Sequence, residues 1–182
     1  AVDFYHHYKE DIKLLADMGL SMMRFGICWT RIFPTGLEEK PNEEGLQFYE
    51  NVVDECLKYG IEPMITICHD ELPLYLANTY DGWSDRILID CYVKLCKALF
   101  ERFKGKVKYW LTFNELNVLQ GFSHLGTRNS DAQTTWQAIH HVFIASAKAK
   151  ILAKEMMPDA MLGAMFATSP AYPSTCHPDD QM

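Results

Sequence analysis

The sequence is short of positive charge, since 17 lysines and arginines stand against 24 aspartates and glutamates and give a formal net charge of −7. A nucleic-acid-binding protein needs a basic face, so this balance argues against that class. The sequence also has no uninterrupted apolar run near the roughly 20 residues that span a bilayer. Its first residues lack a basic segment followed by an apolar one. We therefore expect neither a membrane anchor nor a secretory signal peptide.

Cysteine pairs with metal-binding or redox spacing are absent as well. The six cysteines include no Cys-x-x-Cys pair, and the spacing of Cys91 and Cys96 matches no zinc motif. The cysteines lie in apolar segments of a chain too large to need disulfides, which predicts free thiols. The sequence therefore predicts a cytoplasmic protein without a cysteine metal site.

Helical and strand-like segments alternate along a chain in which 48% of residues are apolar. Amphipathic periodicity predicts helices at about residues 5–18, 43–59, 85–103 and 131–157. Short apolar runs predict strands buried on both faces at residues 22–29, 63–68, 107–113 and 161–167. This order predicts one α/β domain with a parallel sheet.

Two architectures fit such an alternation. No glycine-rich phosphate loop follows any predicted strand, which disfavours a doubly wound nucleotide-binding sheet. A complete (β/α)8 barrel needs roughly 250 residues or more, and four strands cannot close one. We therefore predict an incomplete (β/α)8 TIM barrel of about four strands and four helices, a single partial domain over residues 1–182. Two strand edges would remain unpaired, which favours self-association.

Polar residues accompany three of the predicted strands. Arg24 lies inside the first apolar run, His69 begins a polar triplet after the second, and Asn114 and Glu115 follow the third. Barrel active sites lie at the carboxyl ends of the strands, and ionisable groups are costly to bury without a task. The sequence therefore predicts a polar pocket at this end of the sheet.

Glu115 is the strongest catalytic candidate of the sequence. Beside Trp110 and Phe113 at the end of a buried strand, its carboxyl group is expected to be partly desolvated. Desolvation would raise its pKa and allow it to hold the proton that a general acid donates. The alternative is an ion pair of Glu115 with Arg24 or Arg31.

The triplet of His69, Asp70 and Glu71 could suggest a metal site. Adjacent residues of an extended chain point to opposite faces, so at most two of the three side chains could meet one ion. We therefore predict no metal here and a hydrogen-bonding role for His69. Asn114 could bind a substrate hydroxyl or tie down the following loop.

Four motifs in order resemble glycoside hydrolase family 1, and together they extend over essentially the whole chain. Within that family the chain is most similar to the bacterial enzymes of carbohydrate metabolism that hydrolyse 6-phospho-β-glucosides, through the segments 137–141 and 172–180. The four motifs are R-F-G-I-C-W-T-R-I-F-P at 24–34, N-E-E-G-L at 42–46, His69 with E-L-P at 71–73, and T-F-N-E at 112–115.

The resemblance implies a (β/α)8 barrel and a retaining double displacement between two carboxyl groups about 5 Å apart, with no metal or organic cofactor. It implies that Glu115 is the acid/base, Asn114 contacts the sugar 2-hydroxyl and His69 another hydroxyl. Arg24 would lie beside the nucleophile and help to keep it ionised. The implied substrate is a phosphorylated β-glucoside; a plain β-glucosidase, a 6-phospho-β-galactosidase and a catalytically inert fragment are the alternatives.

The chain departs from the family pattern in two respects. The family usually has an aromatic residue after the strand-end histidine, and this chain has Asp70. The family's first strand would precede Ala1, and its nucleophile and phosphate-recognition loop would follow Met182. We therefore expect the 182-residue chain on its own to be inactive, because an acid without its nucleophile loses most of the rate.

Overall fold

The computed structural model describes residues 2–119 and 125–180. These residues form one four-stranded parallel sheet in the order β1-β2-β3-β4. The strands are β1 (Met22–Gly26), β2 (Glu62–Cys68), β3 (Tyr109–Phe113) and β4 (Met161–Gly163). The α-helices are α1 (Phe4–Asp17), α2 (Trp29–Ile32), α3 (Glu43–Lys58), α4 (Leu74–Tyr80), α5 (Ile87–Phe103) and α6 (Ala132–Met156). Short 3-10 turns cover Gly82–Ser84 and Pro178–Asp180.

The predicted parallel sheet is therefore confirmed, and a long helix precedes each strand. The first and last strands are shorter than predicted. β1 ends at Gly26, and the chain then forms the one-turn helix α2. β4 has three residues, although Met165 continues to pair with the chain beyond β3. The short helices α2 and α4 make six α-helices in the described chain instead of about four, because a single helical turn is too short to show periodicity.

The two longest loop-to-helix transitions use side-chain caps. Asn42 accepts a hydrogen bond from the Glu44 backbone N–H at 3.1 Å at the start of α3. Asp131 accepts one from the Thr134 N–H at 3.0 Å at the start of α6. Each cap satisfies one of the free N–H groups of the first helical turn. Among the described residues, no helix is long and apolar enough to cross a membrane.

The core lies between the sheet and its helices, on one face of the sheet. Ile65, Ile67 and Trp110 point to this face and are at most 1% exposed. On the opposite face most side chains are half-buried or exposed; Met161 is 61% exposed, whereas Thr66 is 0% exposed. The prediction that the strands are buried on both faces is therefore wrong for the described chain, because its helices cover only one face. Arg24 and Thr66 lie on the other face.

Gly45 allows a close approach between α2 and α3. A Cβ atom at Gly45 would lie 2.1 Å from the backbone oxygen of Arg31, so the two helices would have to separate. We expect Gly45→Ala to lower the free energy of unfolding by about 2 kcal/mol, measured by urea denaturation. Gly163→Ala is the control, since its Cβ would meet only a Leu111 methyl group at 4.0 Å. Equal losses in the two variants would contradict the close-packing explanation.

Candidate active site

Arg24 is the centre of a hydrogen-bonded group at the carboxyl end of the sheet. The register pairs Arg24 with Met64 and Gly26 with Thr66, so Arg24 and Thr66 share one face of the sheet. The Arg24 Nε–H donates to Thr66 Oγ1 at 2.8 Å, and an Nη2–H donates to Asn114 Oδ1 at 2.7 Å. Its Nη1 faces the sulfur of Met165. One guanidinium group therefore links all four strands or their extensions.

Asn114 follows β3 directly and is held by both its backbone and its side chain. Its backbone N–H donates to the carbonyl oxygen of Cys68 at 3.1 Å, which extends the pairing of β2 with β3 by one residue. Its side-chain oxygen accepts from Arg24, and the residue is 5% exposed. The two predicted residues Arg24 and Asn114 are therefore in direct contact.

Glu115 is the turning point of the chain after β3. Its φ angle is +45°, in the left-handed region that non-glycine residues adopt at a cost of roughly 1 kcal/mol or more. Its carbonyl oxygen accepts from the Val118 N–H at 3.0 Å, and the next N–H, of Leu116, donates to Met165 at 3.2 Å. The backbone on both sides of Glu115 is thus fixed, and the half-buried side chain leaves the sheet at its carboxyl end.

The alternative partners of Glu115 are engaged elsewhere. Arg24 binds Thr66 and Asn114, and the Arg31 guanidinium lies over the rings of Tyr5 and Phe48, at 4.5 and 5.0 Å. Within residues 2–119 and 125–180, neither arginine pairs with Glu115. The rings expected to desolvate Glu115 pack against other aromatic rings. Trp110 contacts Phe100 at a centroid distance of 5.1 Å, and Phe113 contacts Tyr92 at 4.4 Å.

His69 lies at the end of β2, over Gly26 of β1. A Cβ atom at Gly26 would lie 3.4 Å from the Cβ of His69, an ordinary packing distance, so the histidine side chain is a direct neighbour of this strand end. The His69 side chain is 44% exposed, and its Nε2 is 3.8 Å from a carboxylate oxygen of Asp70. Asp70 has a φ angle of +69°. The histidine is therefore accessible, and a carboxylate is its neighbour.

Glu71 points away from this accessible surface. Its carboxyl group lies near the backbone N–H groups of His69 and Trp29. Burial is the main cause that raises the pKa of Glu71 to about 7, and the backbone N–H groups of Glu71 itself, His69 and Trp29 oppose it. Nearby, the Tyr49 hydroxyl accepts from the Cys28 N–H at 2.7 Å. Glu71 thus joins the chain after β2 to the start of α2.

No three His, Cys, Asp or Glu side chains of the described residues come together as metal ligands. The side chains of the triplet after β2 point in different directions, since His69 is accessible and Glu71 lies near the start of α2. The chemistry that the site offers is therefore that of hydrogen bonds, one cation and carboxyl groups.

A model of glycosyl hydrolase family 1 matches residues 1–182. The chain belongs to glycosyl hydrolase family 1. It is 48% identical to a 6-phospho-beta-glucosidase of Clostridium longisporum, over 98% of this chain and 39% of that protein. It is 45% identical to the 6-phospho-beta-glucosidase AscB of Escherichia coli K12, over 99% of this chain and 39% of AscB. The chain thus spans about 39% of the length of these relatives.

Solved structures of the family share the fold. A family 1 β-glucosidase from Thermotoga maritima superposes with a TM-score of 0.87 at 33% identity, over 98% of this chain and 41% of that one. The rice β-glucosidase Os3BGlu6 gives 0.89 at 30% identity, over 100% and 42%. The predicted incomplete TIM barrel is therefore confirmed: the four parallel strands correspond to part of the barrel of this glycosyl hydrolase family.

Three residues of the site did not emerge from the sequence as functional. Thr66 and Met165 contact Arg24, and Glu71 connects the ends of β1 and β2. Thr66 carried a usable signal, because it is the only polar residue between Pro63 and Cys68 in an apolar strand of this family 1 chain. Met165 carried none, since methionine is common in apolar cores.

Proposed function

We propose that the glycosyl hydrolase to which these residues belong cleaves 6-phospho-β-glucosides with retention of configuration, with Glu115 as the acid/base. The observation that carries the proposal is the contact of Arg24 with Asn114 beside Glu115 at the carboxyl ends of the strands. It occurs in a chain 45% to 48% identical to proteins named 6-phospho-beta-glucosidases. Active sites of barrels form at this end.

The proposed reaction needs two carboxyl groups. Glu115 donates its proton to the leaving oxygen while a second carboxylate attacks the anomeric carbon and the glycosidic bond breaks. Glu115 then takes a proton from the water that displaces this carboxylate, which restores both groups. Asn114 and His69 would bind sugar hydroxyls. The proposal requires no metal or organic cofactor.

Arg24 suits the proposed place beside the nucleophile. The guanidinium group of Arg24 contacts a hydroxyl, an amide oxygen and a sulfur, all of them uncharged. In the part of the chain that the structure describes, no carboxylate pairs with Arg24. A half-buried cation without a counter-ion favours the ionised form of any carboxyl group placed next to it.

We further propose a cytoplasmic location and association through strand edges. The free cysteines Cys56, Cys68, Cys91 and Cys96 are buried thiols, which suit a reducing compartment. Among the described residues, β1 and β4 each have one strand neighbour, and Met161 on β4 is exposed. Sedimentation equilibrium of the chain would show dimers or larger species; a monomer at 100 µM would exclude the association.

A plain β-glucosidase is the second candidate, and Asp70 favours it. This carboxylate lies next to His69, which is proposed to bind the sugar, and like charges repel a phosphorylated substrate. The substrate of a 6-phospho-β-galactosidase would carry the same phosphate and differ in the configuration of one hydroxyl group. These alternatives differ from the first proposal only in the substrate, so substrate comparison separates them.

The test uses a chimera in which this chain replaces the matching 39% of AscB. We expect the chimera to hydrolyse 4-nitrophenyl β-glucoside 6-phosphate faster than the unphosphorylated glucoside and the galactoside 6-phosphate. The chain alone, with its 21.0 kDa mass verified, should turn over none of them. Faster turnover of the unphosphorylated glucoside would favour the second candidate. Turnover by the chain alone would mean that the nucleophile lies among its own carboxylates.

Asp70→Asn should increase the preference for phosphorylated substrate. Removing one negative charge near the sugar should raise the ratio of kcat/KM for the phosphorylated and unphosphorylated glucosides by about 3- to 10-fold in the chimera. The increase should shrink in 0.5 M salt, because ions screen exposed charges. Asp159→Asn, at an exposed position before β4, is the control for net charge. An unchanged ratio would exclude a charge effect of Asp70 on the phosphate.

A further inference from the structure

Thr66 has a buried hydroxyl that meets Arg24 on the face of the sheet opposite the helices. The residue is 0% exposed, and its Oγ1 accepts from the Arg24 Nε–H at 2.8 Å. An arginine Nε has a single hydrogen, which lies in the plane of the guanidinium group. The bond to Thr66 therefore sets the direction of that plane and of both terminal nitrogens.

The orientation of the Asn114 amide follows from its contact with Arg24. A guanidinium group only donates hydrogen bonds, so the atom of Asn114 that faces it must be the oxygen. The Arg24 Nη2 to Asn114 Oδ1 distance is 2.7 Å, typical of a charge-assisted hydrogen bond. The guanidinium group therefore identifies the oxygen of the Asn114 amide, although the two flipped orientations of an amide look alike in coordinates.

The amide nitrogen of Asn114 is consequently directed away from Arg24. Among the residues that the structure describes, Nδ2 donates to no acceptor. It is also not among the fully buried side-chain nitrogens and oxygens that lack a hydrogen-bond partner in this part of the chain. Two N–H donors therefore remain at the carboxyl end of the sheet, one residue before Glu115.

We propose that Thr66 is a positioning residue that acts through Arg24 on Asn114. It holds the guanidinium group so that the Asn114 amide presents its NH2 group to the substrate. The substrate atom at this point must then accept a hydrogen bond, as a sugar hydroxyl oxygen does. A ligand with a protonated amine at that point would be rejected. The part about the substrate rests on the proposed function, and the part about side-chain orientation does not.

The orientation is tested by NMR on the 182-residue chain. We expect the Arg24 Nε–H to exchange with water at least about 10-fold more slowly than that of exposed Arg86, because it is hydrogen-bonded and buried. Thr66→Ser keeps the acceptor and should keep this protection. Thr66→Val removes the acceptor and should abolish it, with a shift of the Asn114 NH2 signals.

Thr112→Val is the matched control for loss of a buried hydroxyl. Thr112 Oγ1 bonds to Ser146 and to the Gly163 carbonyl, at 2.8 and 3.2 Å, and does not contact Arg24. It should therefore leave the Arg24 signal unchanged. Wild-type protection of the Arg24 Nε–H in Thr66→Val would overturn the proposal. If Thr66→Val does not fold, the wild-type chain alone decides: an unprotected Arg24 Nε–H in it would also overturn the proposal.

The consequence for the substrate is tested with the AscB chimera and a set of aryl β-glucoside 6-phosphates that each lack one hydroxyl. One of these compounds should lose kcat/KM strongly in the wild-type chimera, and Thr66→Val should reduce that loss by about 10-fold while Thr66→Ser retains it. A uniform loss over the whole set would show a merely structural role and overturn the proposal. If the wild-type chimera hydrolyses neither the glucoside 6-phosphate nor the plain glucoside, the proposed function fails, and the NMR result alone decides the role of Thr66.

Discussion

Glu115→Gln is expected to lower kcat/KM of the AscB chimera by about 10²- to 10⁴-fold for substrates with poor leaving groups, such as alkyl or disaccharide phosphoglucosides. Glutamine keeps the shape of the side chain and the turn at this position, and it has no acidic proton to give to the leaving oxygen. For 2,4-dinitrophenyl β-glucoside 6-phosphate, whose leaving group needs no proton, kcat/KM should stay near the wild-type value. Stopped-flow absorbance with both kinds of substrate measures the difference.

The second half of the reaction gives an independent check on Glu115. Without a base to activate water, the glycosyl-enzyme formed from an activated substrate should accumulate, so that the first turnover is fast and kcat is low. Azide needs no base and should restore kcat, with a β-glycosyl azide as product. Glu101→Gln, at an exposed position on α5, is the control for net charge. Equal losses of kcat/KM on both classes of leaving group would contradict the assignment of Glu115 as the acid.

The fold was predictable because its helices and its strands each produce a recognisable pattern of apolar residues in the sequence. Apolar residues at helical spacing preceded four apolar runs, and this order admits only a parallel sheet with crossover helices. The bounds of α3 show how far such signals reach, since the helix begins at Glu43 as predicted and its last residue, Lys58, is one residue from the predicted end. The helix α2 was missed because its four residues, Trp29 to Ile32, are too few to show a helical period.

The site was predictable as a set of residues and only partly as a set of contacts. Arg24, Asn114 and Glu115 could be placed at one end of the sheet because parallel strands end at the same edge. Their contacts depend on register, and a register is not visible in one sequence. The contact of Arg24 with Thr66, 42 residues away, is of this kind. The alternative ion pair of Glu115 with Arg24 or Arg31 rested on spacing in the sequence, and both arginines have other partners in the described residues.

Glu71 was considered in the sequence only as a metal ligand, and the structure gives it a different physical character. Its carboxyl group is buried against the start of α2, and burial raises its pKa to about 7 from an ordinary value of 4.5. Between these two values the folded chain holds a proton that the unfolded chain has released. The free energy of unfolding should therefore fall as the pH rises from about 4.5 to about 7 and stay at its lower level above that.

Glu71→Gln is expected to remove this fall of the free energy of unfolding with rising pH. The full effect is on the order of 3 kcal/mol, so at pH 8 the variant should be more stable than the wild type by up to that amount, and at pH 4.5 the two should be nearly equal. Glutamine has nearly the same shape as glutamate, and it carries no charge to bury.

Urea unfolding from pH 4.5 to pH 8.5 measures the difference in free energy of unfolding between the wild type and Glu71→Gln. The contributions of the other titrating groups cancel in this difference. Glu39→Gln, which removes an exposed carboxylate, is the control for net charge. A carbon-13 titration of the Glu71 carboxyl should have its midpoint near pH 7. A wild-type chain as stable at pH 8 as Glu71→Gln would mean that the surrounding backbone N–H groups compensate the burial of the charge. Glu71 would then be ionised at neutral pH, a fixed anion that binds the start of α2 to the end of β2.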